Sequence, residues 1–546
     1  MKLALFDSPA LGSRIKTEKV TLFPEGALGY LVGPTLAMLT NSIMANYFNA
    51  YMSNVLNINK WAGWFFTSIP VVSVFFVILG NILVGRLMDS IKTKAGKARP
   101  LILLSIPINV MALIILFILS PYVNETMQDK QLISLVLISI GYILLFAVAY
   151  PMYSTPHAAI VSLSTRDPKD RSLLATISNA TALAAMGVVS MVLPFFLRLL
   201  FVYDMSGAGT PVYNDAGSVE YYIDASGAAI YDGLASYNHW KIFVIALIII
   251  TAVGAITEYF FTRERVTEEG MGGEKPKDAL PVRDQVKICF SDKYWIIIML
   301  FLLCYQLGGM LKNASQLYFC QAMFRDAQGN YTTANGGAIQ GTLSIIGAVP
   351  TALGMLLAVP LANKIGKARA ILFGSVLAVA GGVLGMLFPD NLTIVIASFV
   401  IKALGSTPAM YLLLALLADV LDHQEAVFGE RTDGFSMTIY GAIFSGCTGI
   451  ATGLMNGVLA AVGYSSSNIS SEAIRAAMPW IFIGGETIGY AAIFAMFLFM
   501  SVEKYGKADR YAIAQQNGTE LPDKPDDKLL SEFNTLRKKA GKGEIR

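Results

Sequence analysis

Charge is scarce in this chain of 546 residues: Asp, Glu, Lys and Arg make up 14 % of it, against roughly 25 % in a soluble globular protein. So few charges do not cover a water-soluble surface. Cysteine is scarce as well. Cys289, Cys304, Cys320 and Cys447 are scattered with no C-x-x-C pair, which argues against a disulfide framework or a thiolate metal site and for a packing role. There is no H-E-x-x-H, no Walker loop, no G-x-S-x-G and no usefully spaced pair of buried carboxylates, so an enzyme is not expected. The first apolar segment starts near residue 27, too long for a signal peptide, and is expected to be a retained span. Between 203 and 239 there is no Lys or Arg at all.

Hydrophobic residues supply 55 % of the chain, and the mean hydropathy is +0.56. Apolar runs of about 20 residues, the length that crosses the hydrocarbon as helix, lie between the charge clusters. The runs are continuous rather than alternating, so helices are implied. Twelve are expected, near 27–52, 61–87, 100–120, 131–155, 173–202, 241–262, 294–320, 337–362, 369–388, 391–418, 434–463 and 479–502. Lys94 to Ser105 returns as Lys364 to Ser375, 270 positions on, with six of twelve residues identical. Each copy sits between two membrane-length runs. An internal duplication follows, the plan of many secondary transporters, whose substrate site lies between the halves.

The expected class is an all-α membrane protein, with two six-helix bundles related by pseudo-two-fold symmetry. Residues 1–262 form the first, 263–293 a linker, 294–503 the second and 504–546 a tail. Segments 86–99 and 263–293 and the tail are rich in Lys and Arg, whereas 203–239 holds Asp204, Asp215, Glu220, Asp224 and Asp232. Basic segments stay inside, so both termini are expected to be cytoplasmic in a plasma membrane. The tail is polar and expected to be partly disordered. The 203–239 loop reads as a variable surface loop or a cap.

Polar groups inside spans mark candidate sites. Thr35, Ser42, Asn46, Asn49 and Ser53 fall on one face of the first span. They line a wet cavity or bond a neighbouring helix. Charges inside spans are costly and functional by default. Lys312 lies in span seven and Lys402 near the middle of span ten, where they face an anionic substrate group or, for Lys402, pair with Glu486. Glu258 and Arg198 lie near span ends and are expected to reach the interface. Tyr150, beside the broken Tyr153-Ser154-Thr155-Pro156 stretch, suits stacking on a sugar.

Four groups of residues together resemble a known family. Gly85-Arg86-Leu87-Met88-Asp89 with Lys94 to Pro100, Pro156-His157-Ala158-Ala159 through Asp167-Pro168-Lys169-Asp170-Arg171, Ala418-Asp419-Val420-Leu421-Asp422-His423-Gln424-Glu425 with Gly429, Arg431, Asp433 and Gly434, and Gly29-Tyr30 with Gly33 carry the likeness. They resemble the glycoside–pentoside–hexuronide:cation symporters, the melibiose-permease type within the major facilitator superfamily. The resemblance implies a sugar or glycoside carrier that works by alternating access. Its cation-site acids fall here on Val77, Asn81 and Ser154, its span-one acid near Met38, its span-eleven base near Ser445 and its span-five arginine on Ser178 or Asn179. No carboxylate is left at those positions, which argues against sodium coupling of that type and leaves uniport, exchange or proton coupling open.

Asn46, Asn49, Asn81, Tyr150, Ser154, Lys312 and Lys402 are the expected substrate contacts. The substrate is a sugar or glycoside, in a narrower reading an anionic hexuronide. Asp89, Arg99, Arg171, Asp419, Asp422 and Arg431 are the expected gate, as ion pairs between halves, or else folding and topology signals. His157 stands where the family has Tyr, and imidazole is the side chain that titrates near neutrality, so it is a proton-coupling candidate beside a structural reading. No cofactor, metal or nucleic acid is expected, and a monomer in the lipid bilayer, with H+ or Na+ as the coupling cation if there is one, is. A lipid or drug carrier of the same fold and a non-transporting membrane sensor are the competing readings.

Overall fold

The computed structural model describes residues 4–545 apart from 92, 166–167, 215–216, 225–227, 266–280, 431, 466–467, 518–520 and 522. In the first half, α1 runs over Leu22–Val55, α2 over Gly63–Ser90 and α3 over Arg99–Leu119. Next, α4 joins Gln128–Ile143, Leu144–Ala149 and Tyr150–Ser164, α5 covers Pro168–Val192 and α6 Gly233–Phe261. In the second half, α7 is Lys293–Met323, α8 Thr333–Ile365, α9 Lys367–Leu387, α10 Leu392–Phe428 and α11 Asp433–Ala461. Last, α12 joins Glu472–Pro479, Trp480–Gly484 and Gly485–Phe497. Among the described residues, 11 helices are long and apolar enough to cross a membrane. The expected fifth span is helical too, through α5 and on to Leu200.

Apolar side chains face outward as a membrane requires. On α2, Val71, Val72, Phe75, Leu79, Ile82 and Leu83 are exposed; on α6, Ile242, Ile245, Ile249 and Val253 are. Water would make such faces aggregate, whereas lipid does not. The opposite face of α6 is small and polar, with Thr251, Gly254, Ala255 and Glu258 all buried.

Contacts group the chain into two compact units. One comprises 1–275 with 313–344 and 449–478; the other comprises 276–312, 345–448 and 479–546. In the first unit α1 and α6 touch backbone to backbone. A methyl on Gly254 would sit 2.5 Å from the Ala37 nitrogen, and one on Gly33 2.8 Å from the Glu258 nitrogen. This close approach is the use of small residues in membrane helices. The second unit packs α9 on α10 and gathers Tyr294, Trp295, Phe301, Leu416, Tyr490 and Phe497 into its core.

The repeated basic segments fold alike. Gly96 has φ +103° and Gly366 φ +94°, conformations in which a side chain is strained, so the glycine of each copy is explained. A carboxylate from just past the last span of the same half then caps the following helix. Glu264 accepts from the Lys97, Ala98 and Arg99 amides, each at 2.9 Å. Glu503 accepts from the Lys367 amide at 2.8 Å and the Ala368 amide at 2.9 Å. A carboxylate at a helix N-terminus satisfies orphan donors and meets the favourable end of the helix dipole.

The 203–239 loop carries a hairpin among its described residues. Strands β1 (Thr210–Tyr213) and β2 (Val219–Ile223) form an antiparallel hairpin. Tyr203 stacks on Tyr221 and Tyr231, and the Tyr221 hydroxyl donates to Asp326. The tail corrects the sequence expectation of disorder. Helices α13 (Gly506–Asn517) and α14 (Asp527–Lys539) bury Tyr511, Leu530 and Phe533 against Ala426 and Val427 of α10. Sparse apolar residues on an amphipathic stripe read as polar in composition but still have a face to bury.

Candidate functional site

Asn46 and Asn49 occupy the polar face of α1 but meet different surroundings. The Asn46 amide donates back to the Ser42 carbonyl at 2.7 Å and stays half-buried. Asn49 is buried and accepts from Asn456 of α11 at 3.3 Å. Nearby, Tyr47 donates to Gln340 at 3.2 Å, and Ser53 meets the Tyr318 hydroxyl at 3.0 Å. In the first unit, therefore, the lower part of this stripe joins helices to one another. Asn81 donates to the Val77 carbonyl of its own helix at 2.9 Å, and Ser154 is half-buried on α4.

Tyr150 is drawn elsewhere. With Thr40, Asn41, Asn109, Tyr153 and Thr251 it lines a cleft among α1, α3, α4 and α6. The empty space there is about 460 Å³, some of it open to solvent, but only about 30 Å³ admits the centre of a water-sized sphere. That is room for roughly two waters and not for a sugar ring. Asn46, Asn49, Asn81 and Ser154 do not line it. Asn41, off the stripe read from the sequence, does.

His157 and Glu258 meet in the same unit. The imidazole Nδ1 lies 2.8 Å from Glu258 Oε1, and the Tyr153 hydroxyl donates to Oε2 at 2.5 Å. The other ring nitrogen lies 3.2 Å from Ser178 Oγ. Glu258 is 0 % exposed, which corrects the expectation that it reaches the interface. Its place on the small, polar face of α6 turns it inward, toward Tyr153 and His157 of α4. The signal was available: Thr251, Gly254 and Glu258 recur at helical spacing on a face that lipid does not favour. Arg198 behaves as expected for a span-end charge. Its side chain is exposed and pairs with Glu220 of the hairpin at 3.0 Å.

In the second unit Lys312 and Lys402 converge on one carboxylate. Lys402 Nζ lies 2.5 Å from Glu486 Oε2, and Lys312 Nζ 3.7 Å from Oε1. Lys402 and Glu486 are buried, while a quarter of the Lys312 side chain is exposed. Lys312 also lies 5.4 Å from the centre of the Phe399 ring. Two lysine side chains thus converge on one carboxylate within the span.

Two of the charged motif residues, Arg99 and Asp419, have partners within their own halves. Buried Arg99 donates from Nε and Nη2 to the Tyr259 carbonyl, at 3.0 and 2.8 Å. Lys367, the lysine of the second Gly-Lys-Ala-Arg copy, holds Asp419 at 2.6 Å. Asp422 lies on α10. Arg431 lies outside the described residues, and so do the side chains of Asp89 and Arg171.

Two repeated sets of membrane helices, each enclosing polar and ionic groups that lipid would reject, define a multi-pass carrier of the major facilitator fold. The family described as MFS/sugar transport protein matches residues 29–505, and the chain belongs to it. It is a secondary sugar transporter, not an enzyme. It is 24 % identical over 427 residues to the isoprimeverose transporter of Lactiplantibacillus pentosus, covering 77 % of each chain. It is 19 % identical over 415 residues to the glucuronide carrier protein homolog of Escherichia coli (strain K12), covering 76 % of this chain and 78 % of that one. Among solved structures, the D-xylose-proton symporter superposes with a TM-score of 0.55 at 12 % identity, covering 88 % of this chain and 98 % of that one. The resemblance read from the motifs is therefore correct at the level of family and fold.

Proposed function

We propose that the chain carries an anionic glycoside, a hexuronide, together with a proton, by alternating access in a bacterial inner membrane. The observation that carries this reading is the convergence of two lysines, Lys402 at 2.5 Å and Lys312 at 3.7 Å, on Glu486, with a quarter of the Lys312 side chain exposed. An ammonium group meets a uronate carboxylate through a charge-assisted hydrogen bond. The name of the glucuronide carrier homolog supports the same substrate class. Asn46, Asn49, Asn81, Tyr150 and Ser154 contribute neutral hydrogen bonds to sugar hydroxyls at stages of the cycle in which their present helix contacts open. The proton is received at His157, since no carboxylate stands at the family's sodium-site positions. Asp89, Arg99, Arg171, Asp419, Asp422 and Arg431 bias the two-state equilibrium at the cytoplasmic face. Basic segments facing inward support cytoplasmic termini. The halves are 1–262 and 294–503, joined by 263–293, with 504–546 as the tail, and the working unit is the monomer.

Counterflow of labelled glucuronide and of a neutral xyloside in proteoliposomes tests the substrate class. Lys312→Gln is expected to raise the glucuronide KM about 10- to 100-fold, the loss of one charge-assisted hydrogen bond, with a far smaller effect on the xyloside. Equal effects on both, or transport of neutral sugars only, would contradict the reading.

A further inference from the structure

We propose that Glu258 and His157 together form the proton-carrying unit of this transporter, and that Tyr153 links them to the water-sized cleft beside Tyr150. This rests on the reading of the chain as a proton-coupled carrier and names the second group of that site.

Glu258 is a fully buried carboxylate whose ion-pair partner, among the described residues, is an imidazole. The neighbouring carboxylates are held differently. Glu25 pairs with Arg265 at 2.8 Å, a cation that never loses its charge. Glu264 caps the first turn of α3 through three amides. The Arg99 guanidinium is committed to the Tyr259 carbonyl and stacks 4.6 Å above the Tyr259 ring. From α1, Tyr30 bonds to Ser164 of α4; from α5, Ser178 meets the far imidazole nitrogen. Among the described residues, the Glu258 carboxylate thus meets a phenol and an imidazole, and imidazole is the side chain whose ordinary range spans neutral pH.

The consequence is a two-state charge. With neutral imidazole and carboxylate the pair carries −1. One added proton, shared between Nδ1 and Oε1, brings it to zero. A bare carboxylate inside the span is costly, and neutralising it removes that cost. A conformational step that closes this site to water therefore favours the protonated pair. Water reaches the pair by way of Tyr153, whose ring lines the cleft while its hydroxyl holds Oε2. The Thr40 hydroxyl in the cleft wall is buried with no protein partner among the described residues, as suits a site built for water.

The full chain in proteoliposomes tests this, with glucuronide and a neutral xyloside as probes. Wild type is expected to accumulate sugar about tenfold per unit of pH gradient, the equivalent of one proton. In Glu258→Gln and His157→Gln that accumulation is expected to vanish, while exchange of labelled for unlabelled sugar falls much less. Unchanged gradient-driven accumulation in either variant overturns the proposal. Accumulation in wild type with no proton flux overturns it too, yet leaves the carrier reading intact. If wild type carries neither probe, or the variants do not fold, ring-nitrogen NMR of the three histidines in purified wild type still decides. On acidification the His157 ring-nitrogen signals and a carboxyl infrared band are expected to change together. A His157 ring and carboxyl band that do not respond together overturn the proposal.

Discussion

Each half of this carrier buries one carboxylate on its last span, and the two are partnered in opposite ways. Glu258 on α6 faces an imidazole and a phenol, so its pair is neutral or negative. Glu486 on α12 faces two lysines. The backbone scaffold around them is duplicated, down to the positive-φ glycines and the capping carboxylates Glu264 and Glu503. The difference teaches that a duplicated fold can hold two chemistries. The half with the switchable partner suits a proton, and the half with two converging lysines suits an anion.

Charge-removing substitutions separate the two clusters most sharply. Glu486→Gln leaves the buried Lys402 ammonium facing an amide, and the expected loss is about 3–5 kcal/mol of stability, read as a fall in unfolding temperature in detergent. Glu258→Gln removes a charge but keeps groups able to bond Tyr153 and His157, so about 1 kcal/mol or less is expected from the same measurement. Similar losses in the two variants would break the comparison.

The shared scaffold predicts a smaller and symmetrical effect. Glu264→Ala and Glu503→Ala each remove a helix cap, and each is expected to cost about 1 kcal/mol. A large loss in one variant and none in the other, by the same thermal unfolding, would show that the repeated turns do not play equal parts.

Much of the fold was legible because the membrane leaves few alternatives to long apolar helices. The Gly-Lys-Ala-Arg repeat announced the duplication, and the structure supplies its reason in two identical turns. Less of the site was legible. Lys402 with Glu486 could be paired from their depths in the spans, but that Lys312 shares the same carboxylate depends on helix rotation that residue counting does not give. Glu258 was misread because three residues from a helix end suggests the interface. Burial there is decided by the Gly33–Gly254 contact, which draws α6 against α1 and turns its polar face inward. Asn49 was chosen for its stripe, yet its present partner, Asn456, comes from a helix more than 400 positions away in sequence. Tail helices α13 and α14 were missed because composition hides an amphipathic face.

The central claim, a uronate held by the lysine cluster and a proton held by Glu258 and His157, has one direct electrical test. An anion carried with one proton moves no net charge. Glucuronide uptake into proteoliposomes is therefore predicted to follow an imposed pH gradient and to ignore an imposed membrane potential. Uptake driven by the potential alone, with no pH gradient, would contradict the account.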